Sequence, residues 1–172
     1  MLAVRTEGGI AVGWHEGVAP RALASPSLSA DGSGDNDRVP ADRPVVIRLW
    51  EPRDRGTVQR LLRLFSVDAE VSCDDAPTYV AVQDGHVVGM VTLCVIRTLT
   101  GTKAYLDHLV VEPGMRRRGI GRVLVEHAVA QARAAGATRI DLTAGDQKQA
   151  ARALYSSFGF RKRDTSVFRL LL

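Results

Sequence analysis

The chain has 172 residues, of which 45% are hydrophobic and 24% charged, and it carries a net charge of +4. This length fits one globular domain with a tail, and no apolar run approaches the roughly 18 residues that a membrane-spanning helix needs. The N-terminus lacks the charged, apolar and small-residue order of a secretory leader, so a cytoplasmic setting is expected, with Cys73 and Cys94 reduced.

Residues 1–44 come first and differ from the rest. Gly, Ala, Pro, Ser and Asp dominate them, they hold 4 basic and 6 acidic side chains, and SPSLSADGSGDNDRVPADRP has almost nothing to bury. Such a segment cannot offset its conformational entropy by packing. Residues 1–44 are therefore expected to be a disordered or extended tail. The domain is expected over 45–172, where 19 basic and 13 acidic side chains leave a net charge of +6.

VVIRLW (45–50) reads as a first strand. Glu51-Pro52 opens a helix whose apolar face holds Val58, Leu61, Leu62 and Phe65. Residues 67–77, polar and broken by Pro77, read as a short helix or a substrate-facing loop. TYVAVQ (78–83), Asp84-Gly85 and HVVGMVTLCVI (86–96) form a hairpin signal, because Asp-Gly supplies the positive φ angles of a two-residue turn. The second arm is almost wholly apolar, as in a strand buried on both faces. A turn at Leu99–Thr102 leads into a strand over 103–111. Val123–Ala135 reads as a helix stopped by Gly136. TRIDLT (138–143) is then a strand parallel to 103–111, reached through a right-handed crossover. Gln147–Phe158 is the last helix, ended by Gly159. From Phe160 through SVFRLLL a final strand or strand pair is expected.

Between strand 103–111 and the next helix lie Glu112-Pro113-Gly114 and Arg116-Arg117-Arg118-Gly119-Ile120-Gly121. A strand, a basic glycine turn and a helix make an anion site. The first helical N–H groups lack partners, and the helix dipole favours negative charge there. Glycine lets the backbone approach a ligand closely. Neither the dinucleotide G-x-G-x-x-G nor the P-loop G-x-x-x-x-G-K-S/T pattern is present, and the bland alternative is an Arg-rich surface turn. Packing three arginines into one turn favours a focused phosphate site over a nucleic-acid face. Aromatics, 5% of the chain, are missing from 112–122. The four histidines and two cysteines show no metal-ligand spacing.

Arg116, Gly119 and Gly121 occupy the defined places of a Gln/Arg-x-x-Gly-x-Gly/Ala pattern, with Val111-Glu112-Pro113 upstream as V-x-P. The last helix carries AARALYSSFGF, with Ala151, Leu154, Tyr155, Gly159 and Phe160 in the places of A-x-x-L-Y-x-x-x-G-F. Tyr155 lies 34 residues after Gly121. These two motifs, separated by one helix and one strand, resemble those of the GNAT family of N-acetyltransferases, and the resemblance covers about residues 45–172.

The resemblance implies the acyl-CoA N-acyltransferase fold. This is an α/β architecture with a central mixed, mostly antiparallel sheet flanked by helices, in which two neighbouring parallel strands splay apart. Here those are 103–111 and 138–143. It implies acetyl-CoA as cosubstrate, no metal, and acetyl transfer by direct attack, in a ternary complex, of a primary amine of a small molecule or protein. It implies no nucleic-acid or membrane partner and leaves a homodimer open. The pantetheine arm would pair with the backbone of Leu109, Val110 and Val111. The pyrophosphate would sit on Arg116, Arg117, Arg118, Gly119, Ile120 and Gly121. Arg122, at the helix start, opposes the dipole unless an anion is bound, so it joins the cofactor residues, as does Arg152, one turn before Tyr155. Lys148 stands where many members carry a cofactor-contacting Asn, and could meet a phosphate or be solvated.

Acetyl transfer to an amine needs a deprotonated nucleophile, donors for the oxyanion and a proton or hydrogen bond for the thiolate. The resemblance places Tyr155 near the sulfur as general acid; a core tyrosine with a satisfied hydroxyl is the alternative. Strand alternation puts Tyr105, Asp107 and Leu109 on one face and His108 on the other. Asp107 is thus the expected base, or else an amine anchor or a structural hydrogen-bond acceptor, and a bulge would reverse the argument. Asp68, Glu70, Asp74 and Asp75 could attract a cationic amine or form a solvated face. A non-catalytic acyl-CoA-binding module on the same fold is the rival function. Retention of Tyr155 with a complete glycine turn argues against it.

Overall fold

Turn chemistry at Asp84-Gly85, with φ angles of 51° and 79°, joins the two strands at the centre of the sheet. The computed structural model describes residues 44–65, 71 and 76–171. The expected tail up to residue 43, Cys73, and the acidic residues Asp68, Glu70, Asp74 and Asp75 lie outside the described residues. The hairpin strands are β2 (Thr78–Gln83) and β3 (His86–Thr98). Antiparallel neighbours extend them: β1 (Val46–Leu49) beside β2 and β4 (Gly101–Val111) beside β3. A parallel strand, β5 (Ile140–Asp141), completes the order β1-β2-β3-β4-β5.

Both faces of this sheet are covered, which explains why β3 is buried without a break from Val87 to Leu93. On one face α1 (Arg55–Arg63) buries Val58, Leu61 and Leu62 against Trp50, Val80, Met90 and Val110. On the other, α2 (Ile120–Ala134) packs Leu124, Val125, Ala128 and Ala132 against Ala81, Val91 and Leu106, beside Tyr155 of α3 (Gln149–Ser157). Each fully buried leucine contributes about 1.5–3 kcal/mol, and helices as short as α1 and α3 depend on such packing. Close approach sets the fit at Gly89. A Cβ there would lie 2.9 Å from the Val110 carbonyl oxygen and 3.2 Å from Leu124 Cδ1.

A polar clamp fixes where α1 begins. The buried Asp54 carboxylate accepts two bonds from the Arg48 guanidinium, at 2.5 and 3.0 Å, and one from the Glu51 N–H at 2.8 Å. This ties β1 to the short 3-10 turn Pro52–Asp54 that leads into the helix.

Three sequence expectations need correction. The second helix starts at Ile120, not Val123, because Gly119 at φ 80° supplies the left-handed turn that begins it. The strand expected over 138–143 keeps only Ile140–Asp141. It meets β4 opposite Ala104 and Tyr105, and further along, at His108 and Leu109, β4 bulges against β3. No strand forms over 160–171: Val167, Phe168, Leu170 and Leu171 are 74–92% exposed. Apolar composition alone does not make a strand without a ladder partner, and β5 offers a ladder of two residues.

Candidate active site

Because β5 pairs with β4 only at Ala104 and Tyr105, the β5-facing edge of β4 has no strand partner from Leu106 onward among the described residues. Leu109, Val110 and Val111 lie on this open edge, and Val110 and Val111 are held from the other side by Met90 and Gly89 of β3. The Val111 carbonyl is already engaged, accepting a bond from Arg116 Nε at 3.2 Å.

The glycine turn comes directly after this edge. Arg117 at φ 66° and Gly119 at φ 80° are both left-handed, which curls successive N–H groups toward one side. Among the described residues, the amides of Arg117, Arg118, Gly119, Ile120 and Gly121 have no backbone acceptor, whereas those of Arg122 and Val123 both bond the Gly119 carbonyl. A Cβ on Gly119 would meet nothing within 4 Å, so the glycine is required for its φ and for close approach, not for packing. Five unsatisfied donors at the start of a helix fit a diphosphate.

The arginines divide into two groups. Arg117 and Arg118 have no ion-pair partner among the described residues, so their charge is available to a phosphate. Arg122 instead bridges α2 to α3. Its Nη2 donates to Ser157 Oγ at 3.1 Å, and its guanidinium lies 5.1 Å over the Phe158 ring. Arg152 Nη1 donates to Asp146 Oδ1 at 2.8 Å. The structure therefore leaves the amides of 117–121 without backbone acceptors among the described residues, while Arg122 and Arg152 are engaged by Ser157 and Asp146.

A cavity opens next to the unpaired edge, lined by Phe65, Asp107, His108, Thr143, Lys148 and Tyr155 among others. Tyr155 is 9% exposed and packs edge-on against Phe160. Burial first, and the Asp107 charge second, push its phenol up to about 12.

His108 is where sequence alternation fails. The register runs Thr92↔Asp107 and then Met90↔Val110, which leaves His108 and Leu109 facing Val91 alone. That extra residue is a β-bulge, and His108 takes φ 48° there. Asp107 Oδ1 accepts the His108 N–H at 2.8 Å, and Oδ2 lies 3.7 Å from the imidazole Nδ1. His108, expected on the opposite face, thus lines the same cavity as Asp107 and Tyr155. The only hint in LDHLVV is an Asp-His pair, two residue types that tolerate left-handed backbone. Phe65, read as a plain core residue, stands edge-on to His108 and under Lys148 Nζ, 4.3 Å from its ring centroid.

Residues 46–160 match the model of the acetyltransferase (GNAT) family. Human N-acetyltransferase 8 is 37% identical over 92 residues, covering 52% of this chain and 40% of that protein. The ribosomal protein bS18-alanine N-acetyltransferase of Salmonella typhimurium is 37% identical over 60 residues, covering 35% of this chain and 40% of that protein. The chain thus spans 40% of the length of each curated relative. Among solved structures, the ribosomal-protein-alanine N-acetyltransferase of Brucella melitensis superposes with a TM-score of 0.64 at 26% identity, over 75% of this chain and 100% of that one.

Proposed function

The chain belongs to the GNAT acetyltransferase family, and we propose that it moves an acetyl group from acetyl-CoA to a primary amine of a small molecule or protein, by direct attack in a ternary complex. The observation that carries this reading is the run of five acceptor-free amides at the exit of an open strand edge. Acetyl-CoA supplies the acetyl thioester. The open edge at Leu109, Val110 and Val111 holds its arm. The amides of 117–121 hold its pyrophosphate, with charge from Arg116, Arg117 and Arg118. Arg122 and Arg152 complete the set by exchanging Ser157 and Asp146 for phosphate oxygens. Tyr155 donates to the leaving thiolate, free N–H groups of β4 stabilise the oxyanion, and Asp107 sets a carboxylate in the same cavity. The relatives named for ribosomal-protein alanine make a peptide N-terminal amine the first acceptor to try.

The test is release of free CoA thiol from acetyl-CoA across a panel of amines, run beside Gly119→Glu, which fills the concave turn with a bulky anion. Turnover is expected with at least one amine class, with no acetyl-CoA binding by Gly119→Glu. Undiminished binding by that variant would refute the site.

A further inference from the structure

We propose that His108 takes the proton from the acceptor amine and that Asp107 is its positioning residue. This assignment rests on the acetyltransferase reading. Three observations carry it. The bulge places the imidazole in the cavity, where a regular strand would turn it to the other face. A non-glycine residue at φ 48° is held there only by its surroundings, here the Asp107 carboxylate on its N–H and the edge of Phe65.

Second, the two residues divide the work. Asp107 Oδ1 is committed to the bulged N–H, which has lost a regular place in the ladder. Oδ2 lies on the Nδ1 side of the ring, and an ionised carboxylate only accepts hydrogen bonds. The carboxylate thus faces Nδ1, at a distance too long for a hydrogen bond, and Nε2 is the nitrogen assigned to receive the proton.

Third, an imidazole is the side-chain base that works nearest neutrality, and the Asp107 carboxylate is already occupied as acceptor for the His108 N–H. In the transfer, the amine nitrogen bonds the acetyl carbonyl carbon and the C–S bond breaks. The nitrogen's surplus proton passes to His108 Nε2, and the thiolate leaves hydrogen-bonded to Tyr155. The imidazolium then returns its proton to water.

Among the described residues, the ionisable groups around the imidazole are Asp107 of β4, Lys148 just before α3 and Tyr155 of α3. Burial first, and the Asp107 charge second, push up the Cys94 thiol on β3, and Phe65, just after α1, contributes an uncharged ring. The test compares kcat against pH for wild type, His108→Asn, His108→Gly and Asp107→Asn. Asn and Gly accept the left-handed backbone, so the bulge survives the substitution. The acceptor probes are an alanine-starting peptide, lysine, spermidine and glucosamine.

His108→Asn is expected to lower kcat about 100-fold with acetyl-CoA affinity unchanged, and to abolish the acid limb of the profile. Added imidazole should restore part of the rate in His108→Gly, which a purely structural role would not allow. Asp107→Asn should lose less rate than His108→Asn and keep the acid limb, since the imidazole remains in place. Wild-type rate and acid limb in His108→Asn, with both lost in Asp107→Asn, would overturn the assignment. Wild-type protein that binds acetyl-CoA but acetylates none of the probes would overturn the acetyltransferase reading itself and the proton role with it.

Discussion

Replacing Tyr155 by Phe deletes one oxygen and leaves the ring packed against Phe160, 5.7 Å between centroids. The phenol's environment sets the size of the effect. Burial, then the Asp107 charge, push it up to about 12, while a thiol ordinarily titrates near about 8.5. Complete proton transfer from phenol to thiolate is thus uphill by roughly 3.5 units, or about 5 kcal/mol. Tyr155 therefore acts through a hydrogen bond to the sulfur as its charge develops. A hydrogen bond to a charged group contributes about 1.5–3 kcal/mol, a rate factor of roughly 10 to 150. Tyr155→Phe should lower kcat within that range, well short of the roughly 10⁴-fold upper end for general acid catalysis. The assay is thiol release at saturating acetyl-CoA, with affinity measured separately by calorimetry and expected to hold. A thioester of a more acidic thiol should narrow the gap between wild type and variant, because its leaving group needs less help. Full turnover by Tyr155→Phe would remove the residue from the mechanism. A loss beyond 10⁴-fold with affinity intact would instead demand true proton transfer.

Gly119→Ala should cost about 1–2 kcal/mol of stability and weaken acetyl-CoA binding, since φ is 80° and a Cβ would meet nothing within 4 Å. Unchanged thermal stability and unchanged ligand-induced stabilisation would contradict the left-handed requirement. Asp54→Asn should destabilise by about 1.5–3 kcal/mol in urea. Hydrogen bonding from Arg48, foremost, holds the Asp54 carboxyl below the usual carboxylate range. Its contribution is thus present above about pH 3.9 and lost as pH falls, so the variant's acid-side loss should be shallower than that of wild type. His127 gives a dependence nearer neutrality. Burial lowers its pKa, and its ring lies 4.5 Å from Tyr79. The folded protein therefore binds fewer protons than the unfolded chain, and stability present above about pH 6.5 declines as pH falls. His127→Phe should flatten that part of the Tm profile, and an equally steep profile in the variant would assign the dependence elsewhere.

Local chemistry made some features legible. Asp84-Gly85 can hardly do anything but turn, and the apolar run after it can hardly be other than a central strand. The glycine turn was legible because backbone donors at a helix start depend on φ angles that Gly119 advertises. Other features depend on partners that no local pattern names. Residues 160–171 are apolar enough for a strand, but pairing is set by what the neighbouring edge offers, and β5 offers two residues. Arg122 and Arg152 stand where the motifs put them, yet their guanidinium groups answer to Ser157 and Asp146 on nearby elements. Helix periodicity from Val123 onward missed the first turn at Ile120, because that turn is specified by the backbone of Gly119 and not by apolar spacing.

The bulge in β4 links the fold's departures from expectation to its chemistry. Alternation assumes one residue per ladder step, so one unpaired residue reverses the face of every later residue in the strand. At 107–109 the same distortion has two consequences. It brings His108 into the cavity that alternation assigned to Asp107. It commits the Asp107 carboxylate to the displaced N–H. A regular β4 would turn the imidazole to the other face. The open edge begins where β5 ends at Asp141, and the bulge further along β4 sets His108 and Asp107 together beside it.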